Sequence, residues 1–263
     1  MKHSADLIPG TVTLVGGGPG DPGLVTVAGL QAVQQADVIL YDRLAPQDIM
    51  NENPDAEKIP VGKVPRGKYV PQEETNLLLV EHAQQGKKVV RLKGGDSFVF
   101  GRGGEEWQAC AAAGVPVRII PGVTSCVAGP ELAGVPLTHR HMVQGFTVVS
   151  GHVAPGDTRS ELDWAQIAKT GTTLVILMGV ANIGGISEKL QAGGLAAHTP
   201  VAVIGDASLP TQQVLTSTLA EVADDMEQAG IKPPAITVVG DVAGLDLEHT
   251  SCLLYTSPSP RDL

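Results

Sequence analysis

Residues 11–42 read TVTLVGGGPGDPGLVTVAGLQAVQQADVILYD, and the order of residue types in this stretch decides the fold. A β-branched run over 11–15 stops at glycines, an apolar spacing through Leu24, Val27, Leu30 and Val33 follows, and a second apolar run ends on Asp42. Alternation, then helical spacing, then a short apolar run mark strand, loop, helix and strand. The pattern continues outward: KIPVG at 58–62 gives a third strand. A helix over 73–85 closes at Gly86, and KKVVRLKGGD at 87–96 forms a fourth strand that enters a glycine loop. A helix over 105–113 and a strand over 115–120 complete the series. Strands alternating with helices predict an α/β fold of mostly parallel sheets covered on both faces.

PGVTS at 121–125 interrupts this order, and beyond it the composition turns acidic. The expected division is an N-terminal α/β domain over 10–120 and a C-terminal α/β domain over 121–247. In the second, helices over 125–133, 164–169, 183–193 and 218–228 are expected among the runs FTVVSGH, TTLVILMG, TPVAVIGD and PAITVVGDV. Residues 251–263 continue none of this and are expected to be a disordered or non-native tail.

The 263 residues are 43% hydrophobic and 17% charged, which excludes a disordered chain. Aromatics at 3% leave little material for stacking nucleic-acid bases. A net charge of −10 opposes polyanions and membrane headgroups. Yet nine of the eighteen basic residues lie between Lys58 and Arg102 against four acidic ones, a basic island suited to a small anionic ligand. Three cysteines, Cys110, Cys126 and Cys252, without metal-ligand spacing give neither a disulfide frame nor a metal site, and a reducing, cytoplasmic compartment fits. The N-terminus lacks a signal-like apolar core, and no uncharged stretch reads as a membrane span.

Two glycine loops carry the chemistry. In GGGPGD at 16–21, small residues let a ligand approach the backbone. Asp21 occupies the position where a dinucleotide fingerprint needs its last glycine, and no Gly-Lys-Ser/Thr follows for a Walker loop. RLKGGDSFVFGRGGEE at 91–106 packs five glycines among three basic and three acidic residues. Such a loop suits a zwitterionic or polar ligand, with Arg91 and Arg102 as clamps for carboxylates.

These two loops, together with PGVTS, AGVPLTHR at 133–140 and TLVILMG at 173–179, resemble the tetrapyrrole methylases over about residues 11–245, in the branch that acts on uroporphyrinogen III. The resemblance implies a two-domain α/β enzyme, normally a homodimer, holding S-adenosylmethionine in the interdomain cleft and leaving S-adenosylhomocysteine. The implied reaction is methylation of uroporphyrinogen III at C2 and C7 to precorrin-2, by a stand-alone methylase. An octacarboxylate substrate agrees with the basic island. Carried over residue by residue, the resemblance implies cofactor contacts at Pro19, Gly94, Gly95, Asp96, Val99, Thr124, Ser125, Met178, Ala207 and Ala235. Ala207 stands where relatives usually have Gly.

Asp42 matches the family's proton acceptor and Lys63 its proton donor, with a helix cap and a substrate salt bridge as their alternatives. Asp21, Arg91, Arg102 and Arg140 match substrate-handling positions. His139 and His152 read equally as buried structural histidines. Three departures bear on substrate positioning: GKVPRGKYVPQ places Arg66 and Lys68 without the usual His, His141 replaces an Asp, and Ser97 replaces a Pro. Competing readings are a methylase of a later precorrin, a non-catalytic adenosylmethionine sensor and an NAD-linked oxidoreductase.

Overall fold

The computed structural model describes residues 6–62 and 70–245. Lys63, Arg66, Lys68 and the tail lie outside the described residues. In the first unit the chain order is β1 (Thr11–Gly16), α1 (Val27–Gln35), β2 (Val38–Tyr41), β3 (Glu57–Pro60), α2 (Gln72–Gln84), β4 (Lys88–Lys93), α3 (Gly103–Ala112) and β5 (Val117–Ile120). A short 3₁₀ turn at Pro22–Leu24 replaces the first turn expected for α1, and a second covers Gln47–Glu52.

The sheet order is β3-β2-β4-β1-β5, and every ladder is parallel. Parallel strands need covered faces, and both are covered. Val15, Ile39, Val90 and Leu92 pack with Ala32 and Val33 of α1 on one face. Val12, Leu14, Val89 and Leu40 pack with Leu79 and Ala83 of α2 and Cys110 of α3 on the other. Strand alternation then fixes two charged residues: with Val90 and Leu92 on the α1 face, Arg91 and Lys93 project toward α2 and α3.

The chain divides into two compact units, Met1–Ser125 and Cys126–Leu263. PGVTS thus belongs with the first unit, where the Gly122 N–H donates to Asp96 Oδ2 at 3.1 Å. From α4 (Ser125–Leu132) the second runs through β6 (Phe146–Ser150), α5 (Trp164–Ile167), β7 (Thr173–Leu177), α6 (Ile183–Ala192), β8 (Pro200–Gly205), β9 (Gln213–Thr218), α7 (Val222–Gln228) and β10 (Ala235–Val239).

Its sheet order is β6-β7-β10-β8-β9. Only β6 and β7 pair in parallel; β10 runs antiparallel to both β7 and β8, and β9 antiparallel to β8. The parallel arrangement therefore dominates over the two sheets together, while the second sheet is mixed. Ile176, Ile186, Leu190, Val203 and Val222 build its core.

Candidate active site

All strands of the first sheet end at one edge, the edge where open α/β sheets bind ligands. Pro19 follows β1, Gly94 to Val99 follow β4, and Thr124 and Ser125 follow β5. The two glycine loops are hydrogen-bonded to each other: Gly18 N donates to Gly95 O at 3.1 Å, Gly95 N to Gly18 O at 2.6 Å, and Gly17 N to Lys93 O at 2.7 Å. Glycine is required here first for chain packing. A Cβ on Gly16 would lie 2.4 Å from Gly122 N, and one on Gly122 would lie 2.4 Å from Gly95 O, all rigid backbone. Gly122→Ala is therefore expected to cost about 1–3 kcal/mol or more, read as a lower midpoint in urea unfolding; an unchanged midpoint would refute the junction's role.

Asp96 joins the same junction through both carboxylate oxygens, accepting from Phe98 N at 2.9 Å and Gly122 N at 3.1 Å. Ser97 is fully buried, its carbonyl accepts from Gly103 N at 2.9 Å, and its Oγ has no hydrogen-bond partner.

Behind this edge lies a buried cluster of four charges. Asp42 immediately follows β2, and its Oδ1 accepts from an Arg91 terminal nitrogen at 2.5 Å, while Oδ2 lies 3.8 Å from Lys93 Nζ. Arg91 Nε and Lys93 Nζ both donate to Glu106 Oε1, at 2.9 and 3.0 Å. The side chains of Arg91, Lys93 and Glu106 are 4%, 2% and 0% exposed, against 28% for Asp42, so only Asp42 reaches solvent appreciably. Burial opposes the charge on Arg91, but Asp42 and Glu106 outweigh it and raise its pKa. For Lys93 burial, reinforced by the neighbouring guanidinium, prevails over the two carboxylates and lowers its pKa.

Arg91 is therefore not the substrate clamp expected from the sequence. Its remaining guanidinium nitrogen donates to the carbonyls of Leu40 and Leu92 at 3.4 and 3.1 Å. Every nitrogen is thus committed inside the protein, because position 91 lies on the covered face of a central strand. Asp42 is equally not a cap: the nearby 3₁₀ turn begins at Pro46 with no side-chain cap, and the carboxylate turns to Arg91. Lys93 and Glu106 were not singled out in the sequence. Their signal was present as two cations spaced i, i+2 on a buried strand and an acid in the first turn of the next helix.

The other substrate candidates sit at the surface. Arg102, with φ +59, precedes α3 and pairs with Glu105 at 3.1 Å, both side chains about half exposed. Asp21 accepts from Gly23 N at 2.7 Å and caps the first 3₁₀ turn. Arg140 is exposed on a turn closed by pairing of His139 and Val143. His139 and His152 are exposed as well, which overturns their reading as buried residues. Lys63 lies outside the described residues.

In the second unit Met178 follows β7, Ala207 lies just beyond β8, and Ala235 opens β10. Because β10 is antiparallel to its neighbours, the start of β10 lies beside the ends of β7 and β8, with Ala235 opposite Gly205 and Ile236 opposite Leu177. Met178, Asp206 and Ser208 have φ of +57, +47 and +71. Left-handed non-glycine residues grouped at one sheet end are the kind of strain that functional sites hold. Met178 is 47% exposed, a large apolar side chain left partly at the surface of this unit. Among the described residues no group of His, Cys, Asp and Glu is arranged to hold a metal, and no helix is long and apolar enough to cross a membrane.

Comparison with known proteins agrees with this geometry. The chain is 51% identical over 239 residues to the siroheme synthase of Photorhabdus laumondii, covering 90% of this chain and 50% of that protein. It spans about half the length of the curated relatives it matches. Its fold matches uroporphyrin-III C-methyltransferase from Thermus thermophilus, solved with S-adenosylhomocysteine, at TM-score 0.76 and 39% identity over 89% of this chain and 99% of that one. A cobalt precorrin-4 methyltransferase matches at TM-score 0.79 and 29% identity, over 89% of this chain and 96% of that one. With the glycine loops and the Asp42 strand end inside a match to the tetrapyrrole (corrin/porphyrin) methylases over residues 11–223, the chain belongs to that family.

Proposed function

We propose that this chain is an S-adenosylmethionine-dependent methyltransferase that methylates uroporphyrinogen III at C2 and C7, giving precorrin-2. The carrying observation is the match to the Thermus enzyme over nearly all of that enzyme's length. The residues present fit the cofactor chemically. Met178 is held in a left-handed conformation and is half exposed, a polarisable apolar side chain suited to a sulfonium nucleoside. When bound, S-adenosylmethionine supplies the electrophilic methyl group. In this reading the candidate cofactor contacts of the first unit are Pro19, Gly94, Gly95, Asp96, Val99, Thr124 and Ser125, and those of the second unit are Met178, Ala207 and Ala235.

The role of Asp42 follows from its two unlike oxygens. Oδ1 is bound to Arg91, leaving Oδ2 as the atom that accepts the proton the methylated macrocycle must release. Lys63 is retained in this reading as the proton donor. Arg102 and Arg140, both exposed, take the carboxylate arms in place of the buried Arg91, and the partly exposed Asp21 is kept as a further substrate-handling position, not as a carboxylate grip. The working form in this reading is a cytoplasmic homodimer. The buried thiols of Cys110 and Cys126 suit a reducing compartment, the Cys110 thiol being pushed up to about 11 by burial and then by Glu106.

The test is methyl transfer from labelled S-adenosylmethionine to uroporphyrinogen III, with mass analysis of the product and sedimentation of the same preparation. Gain of two methyl groups, by a particle of twice the chain mass, is expected. Cofactor binding without methyl gain would redirect the reading to a later precorrin or to a sensor, and a monomer would remove the dimer.

A further inference from the structure

We propose that Lys93 and Glu106 are positioning residues for Asp42. Glu106 Oε1 grips the Arg91 and Lys93 cations from behind, so that they hold Asp42 with Oδ1 bound and Oδ2 presented. The inference rests on the methyltransferase reading and assigns that site a supporting layer.

The geometry of Glu106 carries the argument. A single oxygen, Oε1, collects Arg91 Nε, Lys93 Nζ and Gln72 Nε2 at 2.9, 3.0 and 3.3 Å. The other oxygen, Oε2, is buried without a hydrogen-bond partner. An arrangement serving stability alone would satisfy both oxygens, because an unpaired buried acceptor carries a desolvation cost. Buried ion clusters are also poor stabilisers compared with apolar side chains of the same volume. What the arrangement does achieve is direction: both cations are drawn to one point on the α3 side of the sheet, where a second Arg91 nitrogen meets Asp42 Oδ1 and the same Lys93 Nζ that binds Glu106 lies 3.8 Å from Asp42 Oδ2. Glu106 stands in the first turn of α3. Among the described residues, the charged groups facing Asp42 are Arg91 and Lys93 from β4, with Glu106 behind them on α3.

The two residues bear on Asp42 with opposite signs, and the experiment exploits this. In the full chain, Glu106→Gln and Lys93→Met are each expected to lower kcat about tenfold to a hundredfold, the scale of a displaced catalytic group. KM for both substrates and calorimetric affinity for S-adenosylhomocysteine should stay within about twofold of the parent. Lys93→Met removes a cation beside the carboxylate and should move the acid limb of the kcat profile to higher pH. Glu106→Gln leaves the cations less compensated and should move it to lower pH. Lys93→Arg should restore the limb.

Parental kcat and profile in Glu106→Gln, shifts of the same sign in both variants, or a kcat loss accompanied by weakened adenosylhomocysteine binding would each overturn the proposal, as would a Glu106→Gln chain that does not fold. A parent chain that never methylates uroporphyrinogen III defeats the functional reading instead, and that control is run first.

Discussion

Asp42→Asn is expected to lower kcat by about 10²–10⁴-fold, the contribution of a positioned proton acceptor. Asn keeps the size and one acceptor oxygen, so Arg91 retains a partner and the fold should survive. S-adenosylhomocysteine affinity should be unchanged, because Asp42 faces the charge cluster and the glycine loops do not depend on it. Steady-state methyl transfer together with calorimetry checks both halves. Turnover within about threefold of the parent would mean that the proton leaves by another route, and Lys63 would become the first group to test.

Arg91→Leu should act on stability rather than on substrate capture. Removing the guanidinium strands Glu106, fully buried, and Asp42, with Lys93 as their remaining cation. Breaking a buried ion network by deleting one partner costs about 3–5 kcal/mol, a large share of a typical domain's stability. Urea unfolding followed by circular dichroism should show the loss directly. A variant with parental stability but a large rise in KM for the porphyrinogen would restore the substrate-clamp reading, and no rearrangement of the described hydrogen bonds would rescue the structural one.

The contrast between those two residues shows what was legible in the sequence. Asp42 was legible as the carboxylate that ends a short apolar run, a position that parallel-sheet enzymes use for chemistry, while its part as proton acceptor came only from the family resemblance. Arg91 was misread because a guanidinium next to glycines resembles a ligand clamp. Its alternation with Val90 and Leu92 on a strand buried along nearly its whole length placed it inside. Glycine-punctuated apolar runs made the first sheet readable strand by strand. β9 was missed because Gln213–Thr218 is an edge strand, exposed or half exposed at every position, and so carries no apolar run. The antiparallel course of β10 was not readable at all, since periodicity reports a strand's faces and is blind to its direction. The close packing of Gly16, Gly95 and Gly122 was hidden for a related reason: sequence shows which residues lack a side chain, but not which backbone would have met one.

That packing has an energetic consequence for any ligand at the sheet edge. Because the Gly18 and Gly95 amides and carbonyls bond each other reciprocally, the two loops share a single conformation instead of wandering independently. A guest arriving there meets a preorganised rim, and the entropy of ordering it was spent when the chain folded, so more of each new contact survives as affinity.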